Sequence, residues 1–402
     1  MMRIDGGVTA PTGYRAAGVS AHIKSLASEK KDCALVASDA DATVAGVFTT
    51  NLLKAPPLQW TEGVCIRGRG RAVFINSGNA NACTGAQGLE DAQATAECVA
   101  SDLGVPITEV AVLSTGVIGV PLPMDRILQG ISGCAEGLSS TGSHDAALAI
   151  MTTDTVPKEM AVEVALSGGP VRIGAIAKGS GMIAPNMATM FCIITTDAAI
   201  AAEDLGELLR NCTAVSFNCI CVDNDMSTSD AVLCFANGES GLPALEPGSP
   251  DFDTFASALR EVCVSMAQAL VRDGEGATKF VEIRVDGAVS DEAAKTIARS
   301  IAHSQLCKTA FFGEDPNVGR LACAAGYAGV PFNVEDLSIW LDGVRVVEDG
   351  MPAVYEEEHA AAVMRQAAFT VRVSVGQGEG EALFWTSDLS HDYVTINADY
   401  RT

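Results

Sequence analysis

Histidine and aromatic side chains are scarce in this chain, with five histidines and 5% Phe, Tyr and Trp among 402 residues. The histidines lie far apart in sequence and no Cys-x-x-Cys occurs, so no zinc-ligand spacing is present and no metal is expected. A phosphate-cradling GxxxxGKS or GxxxxGKT loop is missing, and so is the GxSxG turn of a serine hydrolase. Cys65-Ile66-Arg67-Gly68-Arg69-Gly70 precedes its expected strand instead of following it, which excludes a dinucleotide fingerprint. Chemistry without a cofactor is expected. Basic residues are also few, 26 against 50 acidic ones, for a net charge of -24. That imbalance argues against nucleic acid or an anionic membrane as partner and favours dissolved small molecules. No uncharged apolar run approaches the roughly 18 residues of a membrane span, and Met1 to Gly7 lack an apolar signal core. A soluble chain, not exported by a cleavable signal, is expected. Thirteen cysteines, an odd number without a disulfide-like ladder, fit a reducing compartment, with cytoplasm the default.

What the chain has is aliphatic bulk, 48% hydrophobic residues, and a length that predicts two domains or one large layered domain with an appendage. Helical periodicity predicts helices over residues 90–103, 123–134, 144–151, 202–213, 253–272, 291–303 and 356–367. Strands are expected over 71–75, 109–113, 161–166, 171–177, 190–196, 218–223, 230–236, 279–285 and 369–375. Turn residues at 167–170 and 376–380 predict hairpins, hence antiparallel neighbours within sheets sandwiched by helices. Residues 241–249 read as a surface connector, and a second seam is expected near 287–291.

The most informative stretch runs Gly179-Ser180-Gly181-Met182-Ile183-Ala184-Pro185-Asn186-Met187-Ala188-Thr189, a glycine-rich, proline-broken loop ending on a threonine that opens an apolar strand. Glycine and proline before a strand ordinarily mark a connecting loop. The same layout suits self-cleavage at Ala188-Thr189. Attack by the Thr189 hydroxyl on the preceding carbonyl, an N-to-O acyl shift and hydrolysis of the ester would leave Thr189 with a free α-amine. An α-amine titrates near pH ~7.7 to 8.0, so it can serve as the base the hydroxyl needs without any histidine.

Other candidates lie at strand ends. Thr115-Gly116 follows the expected strand 109–113 and pairs a hydroxyl with a backbone N–H, as an oxyanion hole requires or as a plain turn would. Asn76-Ser77-Gly78-Asn79-Ala80-Asn81 offers amides that either bind an amino acid or cap the following helix. Asp223 to Asp230 invites a calcium reading, which fails because Thr228 stands where the loop needs glycine and Cys234 where it needs glutamate. Asp273-Gly274-Glu275-Gly276 ends a long helix, either as an ordinary helix C-terminus followed by glycine or with its glutamate set to meet a substrate cation or orient a catalytic amine.

Together these segments resemble the ornithine acetyltransferase family of arginine biosynthesis, the ArgJ-type glutamate N-acetyltransferases. The likeness runs from Gly46-Val47-Phe48-Thr49-Thr50-Asn51 through the Asn76 loop, Ser114-Thr115-Gly116-Val117-Ile118-Gly119 and the Lys178 stretch to Asn397-Ala398-Asp399-Tyr400-Arg401-Thr402. The resemblance implies a self-processing αββα layered fold of the N-terminal-nucleophile type, with a smaller C-terminal α/β region. It divides the chain into a catalytic part over 1–286 and the smaller region over 287–402. Cleavage would give an α chain, 1–188, and a β chain, 189–402, associated as α2β2. Thr189 would carry acetyl from N2-acetylornithine to glutamate, with acetyl-CoA as a second donor. Thr115 and Gly116 would form the oxyanion hole, and Thr152, Lys178, Thr189, Glu275, Asn397 and Thr402 match the family's substrate-binding positions. Departures from the family pattern, such as Val318 in place of an aromatic and the apolar Leu52-Leu53, bear on substrate range. Two rivals remain: a related amidase or aminopeptidase with water as acyl acceptor, and an unprocessed amino-acid-binding protein.

Overall fold

The structure is a computed structural model and describes residues 1–184 and 190–399. Ala188, Thr189 and Thr402 lie outside the described residues. Four layers follow from strands that are apolar on both faces, the pattern of sheets covered on either side. In Phe191–Thr196, Phe191 and Ile193 point into one buried cluster while Cys192 and Ile194 point into another. Arg69–Asn79 does the same, with Val73 and Ile75 on one side and Ala72 and Phe74 on the other. The shared inner cluster joins Val36, Val73 and Ile75 to Ile176, Ile193 and Leu233, so two β layers pack face to face. Outside them lie Gly85–Leu103 and Met124–Gly137 on one flank and Ala202–Ala214 and Pro250–Arg272 on the other, the expected αββα sandwich.

One strand that the sequence reading left unassigned joins the two β layers. Cys33–Phe48 pairs through residues 33–37 with Arg69–Asn79, then through residues 43–48 with Ala231–Ala236, with a register break between Ala37 and Ala42. Ser38-Asp39-Ala40-Asp41 at that break reads as loop in sequence because polar residues interrupt the apolar run. A bulge there turns the strand from one layer into the other. Nine strands among the described residues are thereby hydrogen-bonded into one continuous ladder.

A second sheet of seven described strands packs beside the sandwich and shares its largest buried cluster, which includes Val262, Val281, Ile297 and Val371. The boundary expected after residue 286 falls within Phe280–Ala288, a central strand of this sheet, where Gly287 adopts φ +75° and the ladder skips. The turn at 376–380 is not a hairpin. Ala368–Ser374 and Gly380–Ser387 flank Phe280–Ala288 from opposite sides, the first parallel to it and the second antiparallel. Crossing one strand means spanning roughly 10 Å, twice the strand spacing, which five residues manage and a two-residue turn does not. The hairpin expected at 167–170 does form, between Lys158–Leu166 and Gly169–Lys178. The strand expected over 218–223 shrinks to Ile220–Cys221 after a 3-10 turn at Phe217–Cys219. No helix among the described residues is long and apolar enough to cross a membrane.

Candidate active site

Thr115, Gly116, Thr152, Lys178, Glu275 and Asn397 line one cavity, although they come from five separate segments of the chain. Thr115 and Gly116 end the strand Val110–Val117, which runs parallel to Arg69–Asn79 as a crossover through Gly85–Leu103 demands. Gly116 adopts φ +130°, and a Cβ there would stand 2.4 Å from the backbone carbon of Gly78. Glycine is therefore required both by dihedral and by space. Gly116→Ala is expected to lose roughly 1–3 kcal/mol from backbone strain alone, more with the clash, read as a lowered melting temperature of the purified variant.

The amides of the Asn76 loop do not cap the following helix, whose first residue is preceded by Thr84 with no side-chain cap; they bond within and beside the loop. Asn76 accepts from the Ser114 hydroxyl at 2.6 Å and donates to Asn79 O at 2.8 Å, while Asn79 donates to Val120 O and Pro121 O at 3.1 Å. Asn81 donates to Gly88 O at 2.9 Å. These amides hold the loop around the Thr115 strand end, and Ala80 is the loop residue that reaches the cavity.

Lys178, the last residue of Gly169–Lys178, is 2% exposed and donates from Nζ to Thr115 Oγ1 at 3.2 Å. Burial lowers its pKa, Asp154 opposes that, Lys158 adds to it, and Asp230 and Glu275 oppose it further. Glu275 follows the long helix, gives its N–H to Ser180 O at 2.9 Å and accepts from Asn397 Nδ2 at 2.8 Å. Asn397 belongs to His391–Asp399, a helix with no buried residue, so this bond and that of the Ser390 hydroxyl to Gly276 O at 2.6 Å hold it over the site. Close packing continues at Gly181, where a Cβ would meet the Glu275 carboxyl at 2.4 Å.

Both described flanks of the stretch 185–189 are held by carboxylates. Asp223 accepts from Met182 N at 2.6 Å and Ile183 N at 2.8 Å, and Asp230 accepts from Met190 N at 3.0 Å. Burial pushes the Asp223 carboxyl up to about 6, with the neighbouring Asp225 charge adding to it and the backbone amides opposing. Asp230, 0% exposed, is pushed well above the carboxylate range by burial, against the pull of the Met190 amide and the Lys178 charge. In the acidic loop, Asp223 and Asp230 thus accept from backbone amides on the two flanks. Among the described residues, no group of three or more His, Cys, Asp or Glu is arranged to hold a metal ion.

The ArgJ family model matches residues 15–402, nearly the whole chain. The chain belongs to the ArgJ family. It is 50% identical over 397 residues to the arginine biosynthesis bifunctional protein ArgJ of Symbiobacterium thermophilum, with 99% of each chain covered. It is 48% identical to the protein of that name from Geobacter sulfurreducens, over 97% of this chain and 99% of the relative. A crystal structure of the arginine biosynthesis bifunctional protein ArgJ from Bacillus halodurans aligns with TM-score 0.50 and 38% identity, over 98% of that chain and 52% of this one. The resemblance read from the motifs is thereby borne out.

For this ArgJ-family chain, sequence reasoning missed the buried ions behind the cavity. Asp154 accepts from Lys158 Nζ at 2.6 Å, Gly179 N at 2.7 Å and Thr152 N at 3.0 Å. Lys158 Nζ also reaches Asp273 Oδ2 at 2.5 Å, and Asp273 takes the Thr155 N–H at 3.1 Å and its hydroxyl. Burial works to raise the Asp154 carboxyl, but the Lys178 and Lys158 charges and the Gly179 amide outweigh it and hold it down to about 2. A carboxyl whose folded pKa lies below its unfolded 3.8 stabilises the fold above pH 3.8 and ceases to as pH falls toward 2. The contribution at neutral pH is on the order of 2 kcal/mol. Urea titrations between pH 5 and pH 2, in ~1 pH steps, are expected to show that loss in the parent and a flatter curve in Asp154→Asn.

Proposed function

We propose that this ArgJ-family enzyme of arginine biosynthesis transfers acetyl from N2-acetylornithine to glutamate, giving ornithine and N-acetylglutamate. The chain first cuts itself at Ala188-Thr189. The Thr189 hydroxyl attacks the Ala188 carbonyl, the acyl group moves from nitrogen to oxygen, and water hydrolyses that ester to leave a free Thr189 amine. In turnover this amine takes the hydroxyl proton as Thr189 attacks the acetyl carbonyl. The oxyanion of the tetrahedral intermediate receives hydrogen bonds from the Thr115 hydroxyl and the Gly116 N–H. Collapse expels ornithine, whose amine takes a proton, and leaves acetyl-Thr189. The glutamate amine then attacks the ester and carries the acetyl group away, so the kinetics are ping-pong.

The observation that carries this reading is the meeting of Thr115, Gly116, Thr152, Lys178, Glu275 and Asn397 around one cavity, which Gly181, Met182 and Ser227 to Ser229 also line. Asp230, next after Ser229, holds the Met190 amide, so the chain that follows Thr189 starts beside this cavity. Its charged groups suit the substrate: Asp223, Asp225 and Glu275 offer sites for ornithine's ammonium groups, and Lys178 one for a carboxylate. The Bacillus halodurans ArgJ chain matches 52% of this one while being covered almost entirely, close to the 53% that residues 189–402 (214 of 402) would form. That length agreement supports a divided chain.

We take the second activity of a bifunctional protein to be acetyl transfer from acetyl-CoA to glutamate, and the assembly to be α2β2. Denaturing gels of active protein are expected to show bands of about 19 and 22 kDa, from dividing 41.5 kDa in proportion to 188 and 214 residues. Incubation with N2-acetylornithine tests the transfer. Ornithine release that requires glutamate supports it, and release at the same rate without glutamate makes the protein a hydrolase instead.

A further inference from the structure

The contact between Lys178 and Thr115 has a direction, and the charge on the lysine sets it. An ammonium carries three N–H donors and no acceptor, so Thr115 Oγ1 must accept from it and the hydroxyl proton is free to point elsewhere. A neutral amine has a lone pair and can take the hydroxyl proton itself, turning the Thr115 donor away from the cavity. An oxyanion hole built on Thr115 therefore works when Lys178 is charged.

We propose that Asp154 is a positioning residue of the acetyl transfer: from behind the cavity it keeps Lys178 an ammonium, and the ammonium turns the Thr115 proton toward the acyl oxygen. This rests on the acyl-transfer reading above. Three observations carry it. Asp154 is fixed by Lys158, the Gly179 amide directly after Lys178 and the Thr152 amide, so its position relative to the lysine is set on three sides. The Lys158 charge is shared with Asp273, leaving the three ionic groups with one net negative charge beside Lys178. Lys178 itself is enclosed, with no ion pair of its own within 4 Å among the described residues, so the surrounding field decides its protonation.

The charged groups that act on Lys178 from the packed elements are Asp154 before Lys158–Leu166, Lys158 on that strand, Asp230 ahead of Ala231–Ala236 and Glu275 after the long helix. Lys24 acts from the N-terminal segment; burial, the largest effect on it, lowers its pKa to about 8 with Lys178 contributing. Asp154 is the strongest of the groups that favour the charged lysine, and Lys158 opposes it.

The two neighbours therefore move Lys178 in opposite directions. The test measures kcat for acetyl transfer against pH in the parent, Asp154→Asn and Lys158→Met. Asp154→Asn is expected to bring the alkaline limb down by on the order of one pH unit, and Lys158→Met to move it up. General damage to the fold would lower both rates without splitting the limbs. Limbs that stay in place, or shift in the same direction, overturn the proposal.

A second measurement needs no turnover. Lysine labelled with 13C at Cε, with the Lys178 signal assigned by its loss in Lys178→Arg, reports the amine's own titration by NMR. A charged Lys178 in the parent at the pH of maximal rate, titrating at lower pH in Asp154→Asn, is the expected result. A Lys178 already neutral there overturns the proposal even if neither variant folds. Absence of acetyl transfer by the parent would sink the functional reading instead, while the lysine titration still reports on the Asp154 coupling.

Discussion

Thr189→Ala is expected to run as a single band of 41.5 kDa and to form no N-acetylglutamate. Both losses have one origin. In the proposed scheme the hydroxyl that opens the Ala188 carbonyl is the same group that accepts acetyl in turnover, and the amine that serves as its base exists only after the cut. Removing a nucleophile of this kind in acyl-transfer enzymes costs on the order of 10^4-fold to 10^6-fold in kcat, the residue coming from binding and the oxyanion hole. Thr189→Ser keeps hydroxyl and amine and is expected to be processed and to retain activity. Intact mass measurement of each purified variant, paired with an acetyl-transfer assay, checks this. A Thr189→Ala enzyme that is cut, or an uncut parent that is fully active, would falsify the scheme.

Thr115→Ala is expected to lower kcat by roughly 100-fold to 1000-fold, the usual effect of losing one oxyanion-hole donor. The proposed second donor, the Gly116 N–H, remains, so some activity is expected to survive. The loss should fall on kcat more than on KM, because the developing oxyanion exists in the transition state and not in bound substrate. The proposed cleavage at Ala188-Thr189 would pass through a tetrahedral intermediate too, so freshly expressed Thr115→Ala should also accumulate precursor. A rate equal to that of the parent would remove Thr115 from the oxyanion hole and leave its contact with Lys178 as a packing feature.

The sequence reading recovered the elements whose apolar periodicity is strong. Asp291–His303 and Pro250–Arg272 present clear helical faces, and Phe369, Val371 and Val373 alternate cleanly with polar neighbours. It lost the bent strand Cys33–Phe48 because the polar break at the bulge imitates a loop. It also lost Pro56–Arg67, although paired prolines at its first positions are a helix-start signal, because the apolar face behind them is weak.

Local sequence determined the strand-end hydroxyl and amide at Thr115 and Gly116, the glycine-rich approach to Thr189, and the family motifs that brought Lys178, Glu275 and Asn397 into consideration. These are legible because backbone geometry and short-range chemistry are written in adjacent residues. What the tertiary structure decided is which charges share the interior. Asp154, Lys158 and Asp273 carry no periodicity and lie up to 119 residues apart (273 minus 154), yet they pack into one buried ion group behind the cavity. Asp223 and Asp230 likewise acquire their roles from amide donors far away in the chain. A carboxylate's partners, and so its charge at working pH, depend on desolvation and on neighbours brought in by folding, and no window of sequence contains them.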